Sequence, residues 1–183
     1  SNSGTTWDQV LLPSDSAGVN DLAYDSSTGI MIAAGWNRLR NSTRSLVLGP
    51  ESKLYRSDDS GITWGSVNNP WGNGNRCRIG LSEHNGVFFA LVVGLNMQLD
   101  NIYKSTDGGI NWSPIISDTS PLANALGGFG WYFSKIRVNP WNSEDITLLG
   151  VDAWNSLDGG VTWDLLTPVW WEYSVHADKH DLQ

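Results

Sequence analysis

Three side chains near the end of the chain are of types that bind metal ions. His176, Asp178 and His180 alternate along a predicted strand within 174–183. Alternate residues of a strand point to one face, so two imidazoles and a carboxylate would lie together. Such a set suits a divalent metal such as zinc, with a fourth ligand from elsewhere in the chain. The alternatives are a structural polar network and direct contact with a ligand; no other cofactor is expected.

Carboxylates are the second group of residues that could do chemistry. Glycoside hydrolysis needs two of them across a cleft, about 5–10 Å apart. Glu83 and Glu144 lie in turn sequences, and the other two glutamates are Glu51 and Glu172. Asp21, Asp152 and Asp178 lie near predicted strands, but spacing alone does not pair them. The catalytic residues therefore stay unknown, and glycoside hydrolysis is the reaction we expect if there is one.

Aromatic residues in predicted loops are the strongest candidates for ligand contact. Amphipathic rings stack on sugars and anchor protein interfaces, although they also pack between sheets. The predicted ligand-binding residues are Trp36, Trp131, Tyr132, Trp170 and Trp171. A glycan or a protein is the expected partner.

Charge and cysteine content exclude other classes of function. The formal net charge is −8 and the isoelectric point is near 4.6, so a nucleic-acid partner is not expected. Arg38, Arg40 and Arg44 are interpreted as a solvated loop. Cys77 is the single cysteine, which rules out an intrachain disulfide. No apolar run is long enough to predict a membrane span.

A repeated pattern predicts the elements that must position these residues. Segments 55–64, 103–112 and 154–163 share the pattern aromatic-x-Ser-x-Asp-x-Gly-x-Thr/Asn-Trp. A truncated copy at 2–7 ends in Trp7, and the four terminal Trp residues are 57, 48 and 51 positions apart. Periods of about 40–50 residues are typical of propeller blades with four strands each. The Asp and Gly residues predict a tight hairpin turn inside each copy.

The repeat predicts an all-β fold of four-stranded antiparallel blades that form an incomplete propeller. Closed propellers have about 4–8 blades, so the remaining blades would come from the parent chain or from other copies. The predicted units are an outer strand of a preceding blade at 1–12, blades at 19–68, 76–117 and 132–167, and an inner strand of a following blade at 174–183.

The repeated motif resembles the Asp-box, or BNR repeat, of sialidases, sortilin-type receptors and family 74 xyloglucanases. Segments such as Gly150–Trp154 and Val175–Leu182 are similar to exported Asp-box proteins of Bacteroidota. The resemblance implies a bacterial protein that is secreted or held at the cell surface, with the box residues at structural turns far from the ligand face. Those residues are Ser57, Asp59, Gly61, Trp64, Ser105, Asp107, Gly109, Trp112, Ser156, Asp158, Gly160 and Trp163.

Three functions follow as expectations from these features. The first is an extracellular binding or scaffold propeller that recognises a glycan or a protein through loop aromatics. The second is a fragment of a xyloglucanase-like glycoside hydrolase, although the acid and base carboxylates of that family match no positions in this chain. The third is a structural module that spaces other domains.

Overall fold

The computed structural model describes residues 3–40, 45–117, 120–166, 168, 172 and 179. The first sheet contains strands β1 (Ala17–Tyr24) and β2 (Met31–Asn37), followed after a long connection by β5 (Leu54–Ser57) and β6 (Gly65–Ser66). Within that connection, β3 (Leu39–Arg40) and β4 (Ser45–Leu46) form a two-stranded ribbon. The ribbon was not predicted.

Two further sheets repeat the four-stranded arrangement. The second contains β7 (Ile79–His84), β8 (Val87–Val93), β9 (Leu99–Ser105) and β10 (Ser113–Pro114). The third contains β11 (Lys135–Asn139), β12 (Asn142–Leu149), β13 (Ala153–Ser156) and β14 (Asp164–Leu165). In each sheet the strands pair antiparallel in chain order. The predicted all-β class and the four-stranded antiparallel sheets are confirmed.

The middle sheet is apolar on both faces because it lies between the other two. Phe88 packs with Ile32 and Leu54 of the first sheet. Phe89 packs with Phe133, just before the third sheet, and with residues of that sheet. Successive side chains of a strand point to opposite faces, so β8 reads as a continuous apolar run. The sheets therefore stack as three layers with two hydrophobic cores between them.

The innermost strands of the three sheets approach one another closely. Asn20 on β1 donates from its side-chain amide to the carbonyl of Ile79 on β7 at 2.8 Å. The β7 strand also runs close to residues at the start of the third sheet, where a Cβ added at Gly80 would overlap the carbonyl oxygen of Ser134. Only glycine permits this approach.

The outermost strands of the first two sheets are short, spanning Gly65–Ser66 and Ser113–Pro114. The reason is that Trp64 and Trp112 belong to the preceding hairpins, where their indoles are hydrogen-bonded. Segment 1–12 stays a prediction, because residues 3–12 have no strand partner among the described residues. Apart from Lys179, the predicted strand at 174–183 lies outside the described residues.

One short helix interrupts the connection between the second and third sheets. It is a single 3-10 turn at Pro121–Asn124, and Ser120 precedes it as the N-cap. In the part of the chain that the structure describes, no helix is long and apolar enough to cross a lipid bilayer.

Candidate functional site

The three copies of the repeat form closely similar turns, which we call the repeat hairpins (55–64, 103–112 and 154–163). In the first, the Asp59 carboxylate accepts hydrogen bonds from the Thr63 amide at 2.8 Å and the Thr63 hydroxyl at 2.6 Å. The Ser57 hydroxyl donates to Asp59 at 2.7 Å and accepts from the Gly61 amide at 2.9 Å. Asp107 and Asp158 make the corresponding bonds.

These hydrogen bonds favour the ionised carboxylate in each turn. Those from the side chain and amide of Thr63 hold the pKa of Asp59 at about 2. The pKa values of Asp107 and Asp158 are also lowered to about 2, by Asn111 and Thr162 respectively. A carboxylate that is bonded within its own turn and ionised at neutral pH is poorly placed to act as an acid or a base.

A second hydrogen bond closes each turn. The indole N–H of Trp64 donates to the Gly61 carbonyl at 3.0 Å, and the other two hairpins repeat this bond at the same length. Trp7 donates to Gly4 in the same way, so the truncated copy keeps the turn. In every copy, two consecutive residues at the tip of the turn have positive φ, a conformation that glycine adopts readily. These pairs are Ser3–Gly4, Ser60–Gly61, Gly108–Gly109 and Gly159–Gly160.

The repeat hairpins also join neighbouring sheets. Arg56 donates from Nε to the carbonyl of Gly108 in the second hairpin at 2.6 Å, and its Nη1 pairs with Asp58. Lys104 pairs with Glu144 of the third sheet at 3.0 Å. We call this end of the sheets the hairpin end, and the opposite end the loop end.

The hairpin end carries a shallow groove between the first and second sheets. Its volume is about 340 Å³, and Arg56, Thr63, Asn68 and Ile110 are among its lining residues. The Arg56 guanidinium is already held by Gly108 and Asp58, so the groove offers no unpaired charge from that residue.

An ion pair connects the innermost strands of all three sheets. The Asp21 carboxylate on β1 accepts from the Leu81 amide on β7 at 3.0 Å and pairs with Lys135 on β11 at 3.2 Å. Asp21 is therefore committed to interactions within the fold. Within the described ranges, the structure does not present Asp21 as half of a free carboxylate pair for glycoside hydrolysis.

The loop end brings together three of the five aromatic residues predicted to bind ligand. Trp36 lies near the end of β2, whereas Trp131 and Tyr132 precede β11 in the third sheet. Arg78, just before β7, connects them: its Cζ lies 5.0 Å from the centroid of the Trp36 ring. Its Nη1 donates to the carbonyls of Tyr132 at 2.7 Å and Trp131 at 3.4 Å.

Trp36 is held firmly in this cluster. Its indole N–H donates to the Val47 carbonyl at 3.0 Å, and Arg38 also lies over its ring at 5.6 Å. Two guanidinium groups therefore face the Trp36 ring, which a cation–π interaction favours. Sequence analysis missed Arg78, because Trp36, Trp131 and Tyr132 are all more than 40 positions away in the chain and no local pattern links them.

Exposed apolar side chains surround this cluster. Tyr132 is 47% exposed, Phe129 52% and Leu95 56%. The loops that hold them touch, since the Gly130 amide donates to the Met97 carbonyl at 2.9 Å. Residues Trp36, Arg38, Arg78, Leu95, Phe129, Trp131 and Tyr132 are called the loop-end surface below.

The remaining predicted site residues fall elsewhere. Trp170, Trp171, His176, Asp178 and His180 lie outside the described residues, so the predicted metal site stays a prediction. Among the described residues, no group of three His, Cys, Asp or Glu side chains could hold a metal ion. Cys77 is buried, and burial raises the pKa of its thiol to about 12, which keeps it un-ionised.

Structural comparison defines the class of fold. The chain is similar to YCF48 bound to a D1 peptide (TM-score 0.56, 15% identity, covering 82% of this chain and 41% of that chain). It is also similar to the GH74 xyloglucanase from Xanthomonas campestris (0.61, 16%, 89% and 25%) and to a chain of a nidogen/laminin complex (0.54, 10%, 83% and 49%). No family model and no curated protein sequence matches the chain.

These neighbours show a β-propeller fold, and at such low identity they show the fold alone. The chain spans less than half the length of each of these neighbours. Three stacked four-stranded sheets are consistent with the predicted incomplete propeller.

Proposed function

We propose that this chain is part of an extracellular binding propeller whose loop-end surface recognises a glycan or a protein. The observation that carries the proposal is the Arg78 contact set, which joins aromatic residues from the first and third sheets through the second. A surface assembled from three rigid sheets is preorganised, and preorganisation lowers the entropic cost of binding.

Several finer points of the proposal rest on the resemblance of the repeat. We propose that the repeat hairpins are Asp-boxes of the sortilin-like and GH74-like type, and that the protein is secreted or held at the surface of a bacterium. The hydrogen-bond pattern of Ser57, Asp59 and Trp64 supports a structural role for the boxes. Detection of the parent protein in culture supernatant, or its digestion by protease on intact cells, tests the location.

Binding is tested on the full chain with two matched substitutions. Trp131→Ala removes a half-buried ring at the loop-end surface, and Trp141→Ala removes a ring that is 86% exposed at the hairpin end. A glycan array and a random-peptide display library serve as probes. Loss of binding in the first variant and its retention in the second supports the proposal, while binding by neither probe would favour a structural spacer.

A second candidate is a fragment of a glycoside hydrolase, favoured by the fold similarity to GH74 xyloglucanases at TM-scores of 0.61 and 0.53. The engagement of Asp21 by Lys135 weighs against it. Release of reducing sugar from β-glucans by the full-length parent protein tests this candidate. Binding of the glucan without turnover would exclude it.

A further inference from the structure

The outer strands of the three sheets differ at one equivalent position. It is the second residue after the Trp of each repeat hairpin, and it pairs with the aromatic residue that opens the same repeat. These pairs are Tyr55 with Ser66, Tyr103 with Pro114 and Trp154 with Leu165. We call the second member of each pair the edge residue: Ser66 in the first sheet, Pro114 in the second and Leu165 in the third.

The main chain of each edge residue is directed away from its sheet. In every outer strand the following residue donates its amide to the neighbouring strand: Val67 to Leu54 at 3.0 Å, Ile115 to Ile102 at 2.9 Å and Leu166 to Ala153 at 2.8 Å. Successive residues of an antiparallel strand direct their N–H and C=O groups to opposite sides. The N–H and C=O groups of the edge residue therefore belong to the open side of the outer strand.

The first sheet leaves this open side unprotected. Natural sheets protect such edges with proline or with charged residues. Pro114 has no amide hydrogen to offer, and the exposed, charged Asp164 precedes the edge residue of the third sheet. Strand β6 consists of Gly65 and Ser66, both exposed, and no strand lies beside its open side among the described residues.

The groove at the hairpin end follows this unprotected edge. Four consecutive residues, 65–68, line it, together with Ile110 of the second repeat hairpin. A groove on one face of a sheet would be lined by every second residue of a strand, because successive side chains point to opposite faces. The groove therefore runs along the main chain of β6, and its volume of about 340 Å³ is in the range of ligand sites.

The lining of the groove offers apolar contact and little free charge. Ile110 is 57% exposed, and Val67 is half-buried. The two charged side chains that line the groove, Arg56 and Asp58, pair with each other. A ligand of this groove is therefore recognised through main-chain hydrogen bonds and apolar packing.

We propose that a partner polypeptide in extended conformation binds in this groove and adds a fifth strand to the first sheet beside β6. Its main chain bonds to the N–H and C=O groups of Ser66, and one of its apolar side chains packs on Val67 and Ile110. In this mode of recognition the main-chain hydrogen bonds supply affinity and alternate side chains supply specificity. The site lies at the hairpin end and is separate from the loop-end surface.

The test selects peptides for the full chain from a random dodecapeptide display library and measures their affinity for two variants. Ser66→Pro removes the outward amide hydrogen and introduces the residue that the second sheet carries at the same position, so the variant should fold. Leu165→Pro makes the same change in the third sheet and is the matched control. We expect one group of peptides to bind Ser66→Pro about ten-fold more weakly, the loss of one hydrogen bond, and to bind Leu165→Pro as before. Salt should change this affinity little, because no free charge is involved.

A second measurement leaves the protein unchanged. Methylating the amide nitrogens of such a peptide one at a time should weaken binding at alternate residues of the paired stretch, because successive amides of a strand point to opposite sides. A library without a peptide sensitive to Ser66→Pro, or methylation effects that do not alternate, overturns the inference. Sedimentation of the chain alone gives the remaining outcome: a dimer that Ser66→Pro dissociates would mean that a second copy occupies the edge, which also overturns it.

Discussion

Arg78 donates a hydrogen bond to the main-chain carbonyl of Tyr132 at 2.7 Å across 54 positions of sequence. The same guanidinium lies 5.0 Å from the centroid of the Trp36 ring. One side chain on the second sheet therefore sets the position of aromatic residues on the first and third. This contact set is the basis of the proposed binding surface.

Replacing Arg78 by Lys should weaken this connection while keeping the positive charge. A lysine lacks the planar group that reaches two carbonyls and stacks on a ring. We expect the free energy of unfolding to fall by about 1.5–3 kcal/mol, the range for hydrogen bonds to charged groups. Urea unfolding measures the effect, and Arg137→Lys is the control. An unchanged midpoint for Arg78→Lys would show that the contacts do not hold the loop.

Acid should destabilise the protein through the repeat hairpins. The pKa values of Asp59, Asp107 and Asp158 are lowered to about 2 in the folded state, against about 3.9 in an unfolded chain. The stability that these carboxylates contribute is present above about pH 4 and is lost as the pH falls through 2.

The triple variant D59N/D107N/D158N tests this acid dependence. At pH 7 it should unfold at a lower urea concentration than the original chain, and the difference between the two should close on approaching pH 2. A difference that stays constant over this range would mean that ionisation of the three carboxylates is not involved.

Gly109→Ala should be strongly destabilising for two separate reasons. Gly109 has φ +81°, and an added Cβ would overlap Ile32 of the first sheet. Gly72 has φ +73° with open space around it, so Gly72→Ala isolates the backbone effect. We expect a loss of about 1 kcal/mol for Gly72→Ala and about 2–5 kcal/mol for Gly109→Ala. Equal losses of stability in the two variants would show that Gly109 is not tightly packed against the first sheet.

Phe88→Ala and Phe89→Ala should each destabilise a different one of the two hydrophobic cores. Phe88 packs toward the first sheet and Phe89 toward the third. Each truncation should cost about 3–5 kcal/mol. Amide hydrogen exchange should increase mainly in β1 and β2 for the first variant and in β11 and β12 for the second. Identical exchange patterns would contradict the layered core.

Much of the fold could be predicted because its signals are local. The Asp, Gly and Trp positions of the repeat predict each turn, and the run Val87–Val93 predicts a buried strand. The short extent of the outer strands could not be predicted, because a hydrogen bond from each Trp indole to a glycine carbonyl keeps that Trp in the turn. The β3–β4 ribbon could not be predicted, because it contains only two residue pairs and its sequence has no repeating pattern.

The candidate site was predictable only in part. Trp36, Trp131 and Tyr132 could be selected as loop aromatics by residue type. These three residues come together only because the three sheets stack and because Arg78 contacts all of them. The side-chain contacts of Arg78 are with residues distant in sequence. Likewise, Asp21 looked available for chemistry until its contacts with Leu81 and Lys135 were known.

Hydrogen-exchange footprinting of the full chain with a selected peptide or glycan tests the central claim most directly. The claim predicts protection in segments 36–38, 76–80, 94–98 and 129–133, which come from all three sheets. Protection confined to the turns at 58–64 and 106–112 would contradict it, because the ligand would then bind at the hairpin end.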